Sequence, residues 1–150
     1  MTLPLVLLPG FMSDIRIWGP QIEALAVTRA VHLGHWGEGA DVAAMADAVL
    51  DTAPPRFALA GLSLGGMVAM EMLARAPERI DRIALLTTGC LRDPPTLVAE
   101  RDLRRARVQG GRLAEVMAAE VPEEALAPGP MRPALAGFVA TIPAANWLIG

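Results

Sequence analysis

Ten residues, Phe57-Ala58-Leu59-Ala60-Gly61-Leu62-Ser63-Leu64-Gly65-Gly66, read as a strand, a very tight turn with a serine at its tip, and the start of a helix. Such a turn lifts a serine hydroxyl out of the sheet and presents it toward a substrate. Gly61 and Gly65 suit it because a side chain there would clash where strand and helix almost touch. Glycine also tolerates strained backbone angles. A strand that feeds directly into a helix is the repeating unit of a parallel sheet, so this stretch constrains the fold of everything around it.

The rest of the chain agrees with that unit. Residues 3–8 form a short apolar run ended by Pro9-Gly10, the pattern of a buried strand. Residues 17–26 carry Pro20, Ile22 and Leu25, which predicts a short helix with proline in its first turn. Residues 29–33 are a second candidate strand. Asp41 is placed to cap a helix through Val42, Met45, Ala46, Val49 and Leu50, and Pro54-Pro55 stops it. Residues 57–60 are the third strand. Met67, Met70 and Leu73 predict a helix over 67–75, and residues 80–87 are the fourth strand.

The order is β-α-β-α-β-α-β, which implies an α/β fold: a parallel sheet flanked by helices and joined by right-handed crossovers. After Thr88-Gly89 the character changes. Residues 96–108 are charged, Gly110-Gly111 interrupts, residues 113–120 look helical, and Pro122, Pro128, Pro130, Pro133 and Pro143 punctuate the C-terminal stretch. The expectation is one domain over residues 1–150, with a core at 1–90 and a helical, cap-like C-terminal segment at 91–150.

Of the 150 residues, 53% are hydrophobic, and much of that is Ala, Leu, Val and Met, which suits helices covering a parallel sheet. A net charge of -3 argues against a nucleic-acid or anionic-membrane surface. No uncharged apolar run is long enough to span a bilayer. The single cysteine, Cys90, forbids an internal disulfide and reads as a small buried residue near a strand end. Met1-Thr2-Leu3-Pro4-Leu5 carries no charged leader, so a cytoplasmic location is expected. A nucleotide-binding reading of the glycine turn fits less well. The turn follows the third strand rather than the first, and no lysine follows Gly66.

With L-P-G opening the domain and G-L-S-L-G-G after the third strand, the chain resembles the α/β-hydrolase superfamily, most of all its small esterase-like members. The resemblance covers residues 3–88, with weaker support through 120. It implies that Ser63 is the nucleophile of a serine hydrolase that cleaves carboxylic esters through an acyl-enzyme. It implies oxyanion donors at the main-chain N–H groups of Leu64 and of Phe11, with Met12 as the latter's neighbour. Many relatives carry His-Gly where this chain has Pro9-Gly10, but the donor is main chain and survives the change. A small ester or acyl compound is the implied substrate, and no cofactor or metal is implied. Trp18, Trp36, Phe11, Met12 and the helices after Pro95 are candidates for an acyl pocket.

A serine nucleophile needs a histidine base and usually an acid to orient it. No histidine follows Ser63; His32 and His35 are the two in the chain. The implied strand order puts the second strand two spacings, roughly 9–10 Å, from the serine strand. His35 is the candidate base within the chain, with His32 behind it. Asp93, after the fourth strand, is the candidate acid, and Asp14 reads as a capping or surface residue. In relatives the acid and histidine lie on strands beyond the cap, so the chain is expected to be the N-terminal portion of such an enzyme. The alternative is a non-catalytic binding or assembly module without the triad histidine. In either case the fourth strand is expected to leave an apolar edge that favours self-association.

Overall fold

The alternation of apolar runs and amphipathic segments is realised, among the described residues, as a four-stranded, all-parallel sheet. The computed structural model describes residues 2–11, 13–37, 41–91, 94–120, 122, 124, 126 and 128–141. Its strands are β1 (Leu5–Leu8), β2 (Val31–Leu33), β3 (Phe57–Leu62) and β4 (Ile80–Leu86). They lie in the order β2-β1-β3-β4, with Leu7 of β1 opposite Leu33 on one side and Ala60 on the other. A 3-10 turn (Ile15–Trp18) leads into α1 (Gly19–Leu25); α2 (Val42–Thr52) and α3 (Leu64–Arg75) provide the other crossovers.

Side chains alternate across the strands and so divide between two cores. Val6, Leu8, Phe57 and Leu59 face α2 and α3, where Met45, Ala46, Val49, Val68, Ala69 and Met72 are buried with them. Leu5, Leu7 and Ala60 face the other way and pack with Trp18. Trp36 is buried in the first core. Trp18 and Trp36 are therefore core residues.

Local chemistry sets the helix boundaries. The Asp41 carboxylate accepts from the Ala44 N–H at 2.8 Å, which caps α2 as the sequence predicts. Asp14 caps the 3-10 turn by accepting from the Arg16 N–H at 2.9 Å. Arg79 donates to the Ala53 and Pro54 carbonyls at 2.8 and 3.0 Å and stands over the Phe57 ring, which ties the end of α2 to the start of β4. Several expectations shift. β3 runs two residues further than predicted, to Leu62, and α3 starts at Leu64 rather than at 67. Sheet register explains the first: Gly61 and Leu62 still pair with Leu85 and Leu86. Cys90 is exposed rather than buried, and lies beyond the end of β4.

A second compact unit begins at Leu91. It comprises α4 (Pro95–Gln109), α5 (Leu113–Glu120) and α6 (Arg132–Ala140). Gly111, at φ +80°, makes the turn between α4 and α5, a backbone angle that suits glycine. Val116 is its buried apolar residue among those described.

Candidate active site

β3 delivers Ser63 to the tip of the turn, and α3 leaves from it without a spacer. Ser63 adopts φ 52° and ψ -115°, a conformation that costs a residue with a Cβ about 1–3 kcal/mol. The strain sits on the serine itself and not on the flanking glycines. What those glycines supply is space. A Cβ on Gly61 would strike the Gly65 carbonyl, and one on Gly65 would come within 2.6 Å of the Leu8 carbonyl oxygen. β3, α3 and the end of β1 thus converge on one point with no room for a methyl group.

The main chain of Ser63 is held on both sides. Its N–H donates to the Leu86 carbonyl at 2.9 Å. Its carbonyl accepts from the N–H groups of Gly66 and Met67 at 2.9 and 3.2 Å, and from the Thr88 hydroxyl at 2.8 Å. The side chain is left half-exposed, and its hydroxyl has no hydrogen-bond partner among the described residues. Leu64 provides the first N–H of the twelve-residue α3, where the positive end of the helix dipole lies.

The loop after β1 borders the serine directly. A Cβ on Gly10 would stand 3.3 Å from the Ser63 Cβ. The loop is closed on itself: the Gly10 N–H donates to the Ser13 Oγ at 2.9 Å, and that hydroxyl donates back to the Gly10 carbonyl at 2.9 Å. Gly10 therefore spends its own N–H inside the loop. The next N–H, on Phe11, makes no hydrogen bond within the described residues. Beside Ser13, Asp14 is gripped by the Arg16 guanidinium at 2.7 Å, and this side-chain bond holds the Asp14 carboxyl below its ordinary range.

Ser63, Leu64 and the Phe11 loop thus come together. His32 lies in β2, opposite Val6 of β1, so a whole strand separates it from β3. His35 is exposed just beyond β2, on the same far side. Neither histidine is brought to Ser63, and the strand order is the reason. Asp93 and Met12 lie outside the described residues. Ser13 and Thr88 are site residues that sequence reasoning missed. Only the Thr88-Gly89 break after the fourth strand hinted at the second.

A sequence model described as the alpha/beta hydrolase fold matches residues 32–129, a span that includes the serine turn. The chain belongs to the alpha/beta hydrolase fold family. Among curated relatives, a pimeloyl-acyl-carrier-protein methyl ester esterase from Vibrio campbellii is 33% identical over 108 residues, which are 67% of this chain and 41% of that protein. A protein from Rhizobium rhizogenes named for carbamate hydrolysis is 34% identical over 104 residues, 60% of this chain and 40% of its own length. A thermophilic esterase structure from Thermogutta terrifontis superposes with a TM-score of 0.79 at 24% identity, over 99% of this chain and 61% of the esterase. The chain spans about two fifths of the length of the curated relatives it matches.

Proposed function

We propose that this chain carries the nucleophile half of a serine hydrolase acting on small carboxylic esters. Ser63 Oγ attacks the ester carbonyl, the alcohol leaves, and water releases the acid from the acylated serine. The negative charge that develops on the carbonyl oxygen is held by the N–H groups of Leu64 and Phe11, helped by the α3 dipole. The observation that carries this reading is the Ser63 backbone, strained and clamped with its hydroxyl left free at a helix N-terminus. Ester hydrolysis is favoured over other acyl chemistry because the Vibrio campbellii relative is named for it.

The proton acceptor in this proposal is a histidine outside these 150 residues, with Asp93 as a candidate acid. His35 is the weaker choice because it follows β2, and β1 stands between β2 and β3. Without the base, turnover falls by about 10⁴–10⁶, and the oxyanion donors and binding leave a modest remainder. The free Cys90 thiol suits a reducing compartment such as the cytoplasm.

A second reading has its own observation. The Ser63 hydroxyl meets no base among the described residues, as expected of a binding or assembly module that keeps the fold without the reaction. β4 supplies a surface for this, since among the described residues it is an edge strand with Leu85 and Leu86 at 43% and 38% exposure. Labelling with a fluorophosphonate separates the two. The hydrolase reading expects one adduct that disappears in Ser63→Ala. A folded chain that stays unlabelled even with imidazole added as an external base supports the module. Association through β4 is checked by sedimentation, where Leu85→Lys is expected to shift any dimer toward monomer; a dimer unaffected by it rules that edge out.

A further inference from the structure

The G-x-S-x-G pattern accounts for Gly61, Ser63 and Gly65 and leaves Gly66 without a purpose. The structure supplies one. A Cβ on Gly66 would lie 2.5 Å from Cγ2, 2.6 Å from Cβ and 2.8 Å from Oγ1 of Thr88. Thr88 therefore occupies the space that any other residue at position 66 would fill, and from there its hydroxyl reaches the Ser63 carbonyl at 2.8 Å.

We propose that Thr88 is a positioning residue for the nucleophile, holding the Ser63 peptide in its strained conformation by a hydrogen bond that α3 does not need. The proposal rests on the reading of Ser63 as the nucleophile. The first turn of α3 is already closed by the Gly66 and Met67 N–H groups on the same carbonyl. The Thr88 hydroxyl is a third donor, from a residue 25 positions away. Leu86 takes the Ser63 N–H, so the end of β4 grips both polar groups that flank the Ser63 Cα.

Thr87 makes this grip geometrically feasible. It lies at φ +48°, an angle that glycine adopts more readily than β-branched threonine, and it turns the chain between Leu86 and Thr88. Two strained residues, Ser63 and Thr87, are thus joined through Leu86 and Thr88. Strain of this kind persists only where surrounding bonds over-determine it. Removing the hydroxyl leaves the Ser63 carbonyl to the Gly66 and Met67 N–H groups alone, so that it can tilt, and the Leu64 N–H in the same peptide plane tilts with it. The effect is expected in the rate of attack rather than in binding of an ester.

The test compares Thr88→Val, which keeps shape without the hydroxyl, with Thr88→Ser, which keeps the hydroxyl. Thr88→Ala serves if the valine variant does not fold. Two readouts are taken on the 150-residue chain: amide hydrogen exchange, and the rate of fluorophosphonate labelling at Ser63. Thr88→Val is expected to speed exchange at Ser63 and Gly66 about fivefold to tenfold, with Val6 and Leu59 unchanged, and to slow labelling by a similar factor. Thr88→Ser is expected to restore both. Elbow exchange within about twofold of wild type overturns the proposal, and so does an equal acceleration of every core amide, which marks bulk packing. A folded wild-type chain that is not labelled even with added imidazole defeats the nucleophile reading alone, because the exchange comparison still decides whether Thr88 holds the Ser63 turn.

Discussion

β3 and α3 bury Phe57, Leu59, Val68, Ala69 and Met72, whereas the fifteen-residue α4 buries none of its residues. The first pair is held by contacts distant in sequence, in which one methyl group too many meets main chain. The second presents Leu97, Val98 and Leu103 to solvent. Two regions of one chain thus differ in what a substitution can do to them. Around Ser63 the sequence is dictated by space. Along α4 it is dictated by little more than helix propensity.

The sharpest break in that comparison comes from Gly65. A Gly65→Ala methyl would press on the Leu8 and Pro9 carbonyls, which cannot move without opening β1. Destabilisation of about 3 kcal/mol or more is expected in urea unfolding. A loss under about 1 kcal/mol would mean that the convergence of β1, β3 and α3 is looser than described.

Phe57→Ala, in the same core, is expected to cost about 3–5 kcal/mol, whereas Leu103→Ala on α4 should change stability by no more than about 0.5 kcal/mol. Equal effects would erase the distinction between the two regions. Asp41→Ala removes the cap of α2 and should cost about 1 kcal/mol, read as a lower urea midpoint at unchanged slope.

The smallest effect is set by pH. Arg16 lowers the Asp14 carboxyl, so the stabilisation it gives is fully present above the ordinary Asp value of about 3.9. That stabilisation is lost as pH falls through the lowered folded value. Asp14→Asn should flatten the acid limb of the melting curve slightly, as expected for a surface pair screened by water. An unchanged acid limb would show that the pair contributes nothing measurable.

Much of the fold could be read from the residues, because the strands and helices of the first ninety are marked by period and punctuation. Asp41, Pro20 and Pro54-Pro55 bound their helices by local chemistry alone. The serine turn was legible for the same reason. Thr88 and Ser13 were not, since their bonds to Ser63 and Gly10 depend on where β4 ends and how one loop closes. The flanking glycines were read partly as relief of strain, yet the strained angle belongs to Ser63. Trp18 and Trp36 illustrate a related limit: an aromatic near a site looks the same in sequence whether it faces core or cavity. Strand order, implied by resemblance and found in the sheet, is what separates both histidines from the serine.

The central claim is that this turn makes Ser63 the reacting residue of the chain, and it is tested most directly by the intact mass of the protein after incubation with an activated short-chain acyl ester. With imidazole added as an external base, the account predicts a single added acyl group, mapped to Ser63 and absent from Ser63→Ala. An adduct on Cys90 that persists in Ser63→Ala, or a folded chain with no adduct, would contradict it.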